Sequence, residues 1–294
     1  MSDGERMVTE TLVPDAATDA PPTRLVRRLA LGAFVTVVGI VAFMALRGSS
    51  GPAAPETGSE LDARIAVAGV DPATAALPLS TTLTTIDGAP ADQAPENATD
   101  GLVVHPHRET PVHETPGGKP LARLPRTMLG DSGNTWLPVI EQQPEWVRVL
   151  LPSKPNGSTG WIRSADVDYA RTPYVVNVRV QSKKVQLVQD GRVTDTWSAG
   201  VGKRSAPTPA GRTFLLGAFT DPKQQFSPVI LPLGTHSPTL DTFGGGPGTV
   251  AIHTWPTTDV FGTESSDGCV RVPSAALKKL SEVPLGTLVM ITDD

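Results

Sequence analysis

Cysteine is almost missing from this chain: 294 residues contain one, Cys269. A lone cysteine makes no internal disulfide, so it is either a buried small hydrophobe or a free thiol kept for chemistry. Positive charge is also scarce. The formal net charge of -5 excludes a general attraction to nucleic acid or to an anionic membrane face. The glycine run Gly244-Gly245-Gly246 is not followed by the Lys-Ser/Thr step of a phosphate loop, which leaves it as loop chemistry. His105, His107 and His113 have no cysteine and few carboxylates near them, so they read as ordinary surface histidines, and neither a metal nor a cofactor is expected. Long apolar runs are lacking too, with one exception.

That exception is Leu29 to Leu46, eighteen residues without a charge. As a helix it reaches about 27 Å, close to the hydrocarbon thickness of a bilayer. Arg47 follows directly where a signal peptide needs a small-residue cleavage site, so a retained transmembrane helix (29–46) is expected. Arg24, Arg27 and Arg28 lie before the run and only Arg47 closely after it. The positive-inside rule therefore makes residues 1–28 a cytoplasmic, disordered tail and puts the remainder outside a single-pass cell-membrane anchor. A lipoprotein needs a cysteine just after the run, and the only cysteine is far away.

What is abundant is glycine and proline, 28 and 29 residues, which with 5% aromatics predicts turns, short strands and a mainly β fold. Residues 47–100 are rich in Ala, Pro, Thr, Ser and Gly and read mostly as a flexible linker. The alternative is that Leu61–Val70 or Leu77–Ile86 docks on the next domain. Residues 101–170 hold short β-like runs separated by Pro116-Gly117-Gly118 and Pro155-Asn156-Gly157. A small antiparallel barrel is expected there, with Trp136, Trp146 and Trp161 mostly in its core. The series ETPGGKPLARLP, WLPVIEQQPEWVRVLLP and GSTGWIRSADV resembles bacterial SH3-like domains. Residues 171–294 repeat the strand signals, with a hairpin turn at Asp190-Gly191, strands over 212–219, 248–253 and 287–292, and one short helix over 274–281.

The chemistry-bearing residues lie late in that last segment. A histidine within hydrogen-bond reach can take a thiol's proton, and His253 meets Cys269 if the loop between them folds back. Gly268 lets the backbone approach a substrate, the amides of Gly268 and Cys269 are candidate oxyanion donors, and Arg271 can hold an acidic group. With Thr208-Pro209-Ala210-Gly211 upstream, then His253, then Ser266-Asp267-Gly268-Cys269-Val270-Arg271, the segment resembles the L,D-transpeptidase (YkuD-like) catalytic domain.

That resemblance implies a peptidoglycan enzyme. Cys269 would attack the carbonyl of the third stem residue and release the terminal D-Ala. His253 would be the base, and the side-chain amine of a second stem would resolve the thioester to a 3→3 crosslink. It also implies carbapenem-class β-lactams as covalent inhibitors. The chain departs from the family at Asp267, where many members have His, and at Thr254, where they have Gly or Ser. Ser266, Gly268, Arg271, Asp267 and Thr254 complete the expected oxyanion and substrate-binding set. Two other readings share these residues: an L,D-carboxypeptidase that uses water as acceptor, and a wall-binding protein with a decayed site.

Overall fold

The computed structural model describes residues 72–129, 133–243 and 246–294. The expected membrane helix over 29–46, the tail before it, residues 47–71 and Gly244-Gly245 lie outside these. Among the described residues no helix is long and apolar enough to cross a membrane.

A single helical turn, Pro72–Ala75, opens the described chain. Seven strands follow: β1 Leu102–Pro106, β2 Thr110–His113, β3 Pro120–Leu124, β4 Leu137–Gln143, β5 Trp146–Leu150, β6 Thr159–Arg163 and β7 Val167–Arg171. They form one antiparallel sheet in the order β3-β2-β6-β5-β4-β1-β7. The expected barrel is thus a seven-stranded sheet, with no pairing between its edge strands β3 and β7 among the described residues. Of the three tryptophans expected in its core, Trp146 and Trp161 are buried and Trp136 is half-buried. His105, expected at the surface, is buried in β1: its Nδ1 lies 2.8 Å from the Thr135 carbonyl and its ring stacks on Trp136.

The second half contributes β8 Tyr174–Arg179, β9 Lys184–Gln189, β10 Arg192–Ser198, β11 Val201–Gly202, β12 Gly211–Phe214, β13 Leu231–His236, β14 Thr242–Phe243, β15 Gly246–Pro247, β16 Thr249–His253, β17 Glu264–Ser266, β18 Val270–Arg271 and β19 Leu288–Thr292. A helix spans Ser274–Ser281, as its spacing predicts, and buries Ala276, Leu277 and Leu280. Asp190 and Gly191 both take positive φ, which the two-residue turn joining β9 to β10 requires.

The main sheet runs β10-β9-β8-β19-β12, with the C-terminal strand β19 inside it and parallel to β8. Strand β19 reads LVMIT, apolar on both faces, because it is covered on both. Val289 and Ile291 enter a core with Leu277 and Leu280 of the helix, whereas Leu288 and Met290 enter the core of the first sheet beside Val104 and Leu137. The two sequence domains therefore share a hydrophobic core, and the change of pattern near residue 170 is not a break in packing.

The expected linker is corrected in part. Residues 77–97 run across both domains as a strap. Ile86 is buried with the first core, Ser80 N–H donates to the Arg123 carbonyl at 2.7 Å, and Thr159 N–H donates to the Pro90 carbonyl at 2.8 Å. The two oxygens of Asp92 accept from Nε and Nη2 along one edge of the Arg212 guanidinium at 2.6 and 2.7 Å, with both side chains buried. Local composition hides this, since the strap is held through its backbone and one carboxylate rather than through an apolar periodicity.

Candidate active site

Strands β16 and β18 are parallel neighbours, with Ile252 opposite Val270 and His253 opposite Arg271. In that register Ala251 faces Cys269, one residue before β18. Residues two apart on a strand share a face, and directly paired residues point the same way. Cys269, His253 and Arg271 therefore leave one face while Ile252 and Val270 go into the core, where both are fully buried. The stretch between them folds back, and His253 and Cys269 line one cavity of about 510 Å³.

The backbone around the thiol is held by two hydroxyls. Ser266 Oγ donates to the Cys269 carbonyl at 2.6 Å and accepts from the Gly268 amide at 3.2 Å. Thr208 Oγ1 donates to the Gly268 carbonyl at 2.9 Å and accepts from the Gly202 amide at 2.9 Å. Gly268 has φ +113, a region side chains avoid. A Cβ at Gly202 would lie 2.4 Å from the Thr208 nitrogen, so only glycine admits the Thr208 clasp. Of the two amides expected as oxyanion donors, that of Gly268 is engaged by Ser266 Oγ.

His253 is 4% exposed. Its Nδ1 lies 2.7 Å from the Thr254 carbonyl. A carbonyl only accepts, so Nδ1 carries the proton and Nε2 keeps its lone pair. Thr254 thus orients the histidine through its main chain. Its own N–H donates to Ser227 Oγ at 3.1 Å, and its hydroxyl is 3.5 Å from Ser274 Oγ, so its side chain is turned away from the substrate role expected of it. Phe226 packs its ring against His253 with centroids 4.9 Å apart.

The charges settle a neutral resting pair. Burial drives the His253 pKa down to about 4, helped by the Arg271 charge and opposed by the bond to Thr254. Burial likewise pushes the Cys269 thiol up; the Ala251 backbone and Arg271 lower it and Asp267 raises it. A thiol raised and an imidazole lowered do not form a resting ion pair at neutral pH. Asp267 is tied to Lys203 at 2.5 Å, which offsets its charge beside the thiol. Arg271 lays its guanidinium 3.8 Å over the Trp255 ring and donates to the Ser265 carbonyl at 3.3 Å, at the edge of the site rather than in the cavity lining.

Residues 173–291 match the YkuD family, the L,D-transpeptidase catalytic domain. The C-terminal domain belongs to that family. Residues 127–169 match the YKFC SH3b2 domain, so a bacterial SH3-type domain precedes the YkuD domain. An L,D-transpeptidase from Mycobacterium smegmatis superposes at 14% identity over 53% of this chain and 99% of its own, with a TM-score of 0.33. L,D-transpeptidase 3 from Mycobacterium tuberculosis, solved with a faropenem-derived adduct, does so at 13% identity over 47% and 75%, with a TM-score of 0.35. A Bdellovibrio bacteriovorus protein is 28% identical over 42% of this chain and 48% of its own, with a TM-score of 0.33. No curated protein matched in sequence.

Several residues of the YkuD site escape a reading of the sequence. Thr208 is visible as part of Thr-Pro-x-Gly, but its clasp on Gly268 needs the fold. Ser227, Phe226 and Lys203 lie in loops with no spacing that points to His253 or Asp267. Trp255 had a signal, since it stands two residues past the histidine and so returns toward the Arg271 side.

Proposed function

We propose that this chain is a membrane-anchored L,D-transpeptidase that joins peptidoglycan stem peptides through a thioester on Cys269. The observation that carries this reading is the β16/β18 register, which puts a buried thiol and a histidine with a free Nε2 in one cavity. The family of the C-terminal domain supplies the substrate class.

The neutral pair dictates the order of events. As Sγ of Cys269 attacks the carbonyl of the third stem residue, Nε2 of His253 takes the thiol proton, so the thiolate forms only as the carbon–sulfur bond does. The Cys269 amide faces the oxygen that becomes negative. Collapse expels D-Ala, whose amine takes the proton from Nε2. The amine of a second stem then attacks the thioester and gives a proton to His253; the released sulfur recovers one from it, and the crosslink and free thiol result. Arg271, held on Trp255, supplies positive charge at the edge of the site for a substrate carboxylate.

Carbapenem-class β-lactams fit the same chemistry, since ring opening by the thiol leaves a stable acyl group on sulfur. The run 29–46 and the arginines before it support an anchor with the catalytic domain outside the cell. Incubation of the full chain with a purified tetrapeptide fragment tests the reaction. The expected product is a 3→3 dimer with loss of D-Ala. Tripeptide without dimer would instead make water the acceptor and the chain a carboxypeptidase, and unchanged tetrapeptide would overturn both.

A further inference from the structure

The cavity that holds His253 and Cys269 is not built by the YkuD domain alone. Thr82, on the strap, is part of its lining, as is Leu129, between β3 and β4 of the SH3-type domain. Thr82 lies in a tight turn whose shape is set locally: the Thr81 amide donates to Thr84 Oγ1 at 3.0 Å, and that hydroxyl donates to the Leu79 carbonyl at 2.5 Å. The turn is pinned behind by a two-way backbone exchange, Ile86 N–H to the Lys154 carbonyl and Lys154 N–H to the Thr84 carbonyl, each at 2.9 Å.

A second lock ties this turn to the strands that carry the catalytic base. The Thr82 carbonyl accepts from Nε2 of buried His236 at 2.8 Å. The main chain of His236 is gripped by Asn156 of the SH3-type domain: its N–H donates to Oδ1 at 2.8 Å and its carbonyl accepts from Nδ2 at 2.7 Å. His236, the last residue of β13, stands opposite Thr249, the first of β16, and Thr249 lines the same cavity, one strand length before His253. Strap, SH3-type domain and catalytic strands thus meet at one three-way junction on the wall of the cleft. None of this is needed to bring His253 to Cys269.

We propose that Thr82 is a specificity-determining residue of the cleft: the strap turn, held by His236 and Asn156, forms a wall against which an extended peptide substrate lies. The proposal rests on the function given above. A compact acylating agent needs only the thiol, the histidine and room for its ring, whereas a stem peptide must also pass the wall. Changes at the wall should therefore separate the two substrates, appearing in KM for the peptide and leaving acylation by a small β-lactam alone.

The test uses the full chain with Thr82→Trp, which fills the cleft, Thr82→Ala, which opens it, and Asn156→Ala, which releases the turn. Carbapenem acylation of Cys269, followed by intact mass, should stay within about twofold of wild type in all three. For tetrapeptide, Thr82→Trp should raise KM by about tenfold with kcat little changed, and Thr82→Ala and Asn156→Ala should each shift KM by about threefold or more. Peptide KM within about twofold of wild type in Thr82→Ala and Asn156→Ala would overturn the proposal, as would equal losses on both substrates. A wild-type chain that neither acylates nor consumes tetrapeptide would sink the function itself, a result distinct from either.

Discussion

The His253→Gln variant is expected to form the Cys269 acyl-enzyme about a thousandfold more slowly than the wild type, within the range found for a positioned general base. Glutamine keeps a donor for the Thr254 carbonyl and nearly the same volume, so the loss reports the proton acceptor and not the packing. The magnitude follows from the resting state: the thiol is pushed up by burial, so almost none of it is thiolate at neutral pH and the reaction waits on Nε2. A pH series of acylation rates checks this. Because His253 is driven down to about 4, the wild-type rate should hold through pH 6.5 and fall only as pH approaches about 4. A limb at 6.5, or no effect of the substitution, would contradict the assignment.

The same depressed pKa has a stability consequence. Between pH 6.5 and about 4 the unfolded chain binds a proton at His253 that the folded one does not. The stabilisation, on the order of 3 kcal/mol, is therefore complete above pH 6.5 and is lost as pH falls to about 4. The glutamine variant lacks this source of acid sensitivity.

The Asp92→Ala variant is expected to lose about 3–5 kcal/mol of stability, although Asp92 lies in a stretch that reads as a flexible linker. Its carboxylate is the ionic partner of Arg212 on β12, and both side chains are nearly out of water, 3% and 5% exposed. Removing it leaves a buried guanidinium held, among the described residues, by the Asn97 carbonyl alone. Thermal unfolding should show a Tm lower by roughly 10 °C for a folded unit of this size. A change under about 1 kcal/mol would mean that the strap is detached in solution and that the wall at Thr82 is absent with it.

These two variants mark what was legible in the sequence and what was not. That Cys269 and His253 meet in one cavity could be read because the lone cysteine follows a histidine at the spacing of a strand, a returning loop and a second strand. The Asp190-Gly191 hairpin and the helix over 274–281 could be read because turn chemistry and apolar spacing are local. Strand β13 is not legible in the sequence: LPLGTH contains Pro232 and Gly234, both poor strand residues, and it is buried at every position, so it has no alternation to read. The engagement of the Gly268 amide by Ser266 depends on a two-residue turn geometry that residue types do not specify. The double burial of β19 was written in its unbroken apolar run, but which layer covered its second face depended on the SH3-type domain. The strap was hardest, because backbone bonds leave no mark in composition.

Acylation of Cys269 is tested most directly by the intact mass of the full chain after incubation with a carbapenem, measured beside Cys269→Ala. One added inhibitor mass is expected on the wild type, mapped by peptide digestion to Cys269, and none on the variant. An unmodified wild type, or an adduct that persists in Cys269→Ala, would contradict it.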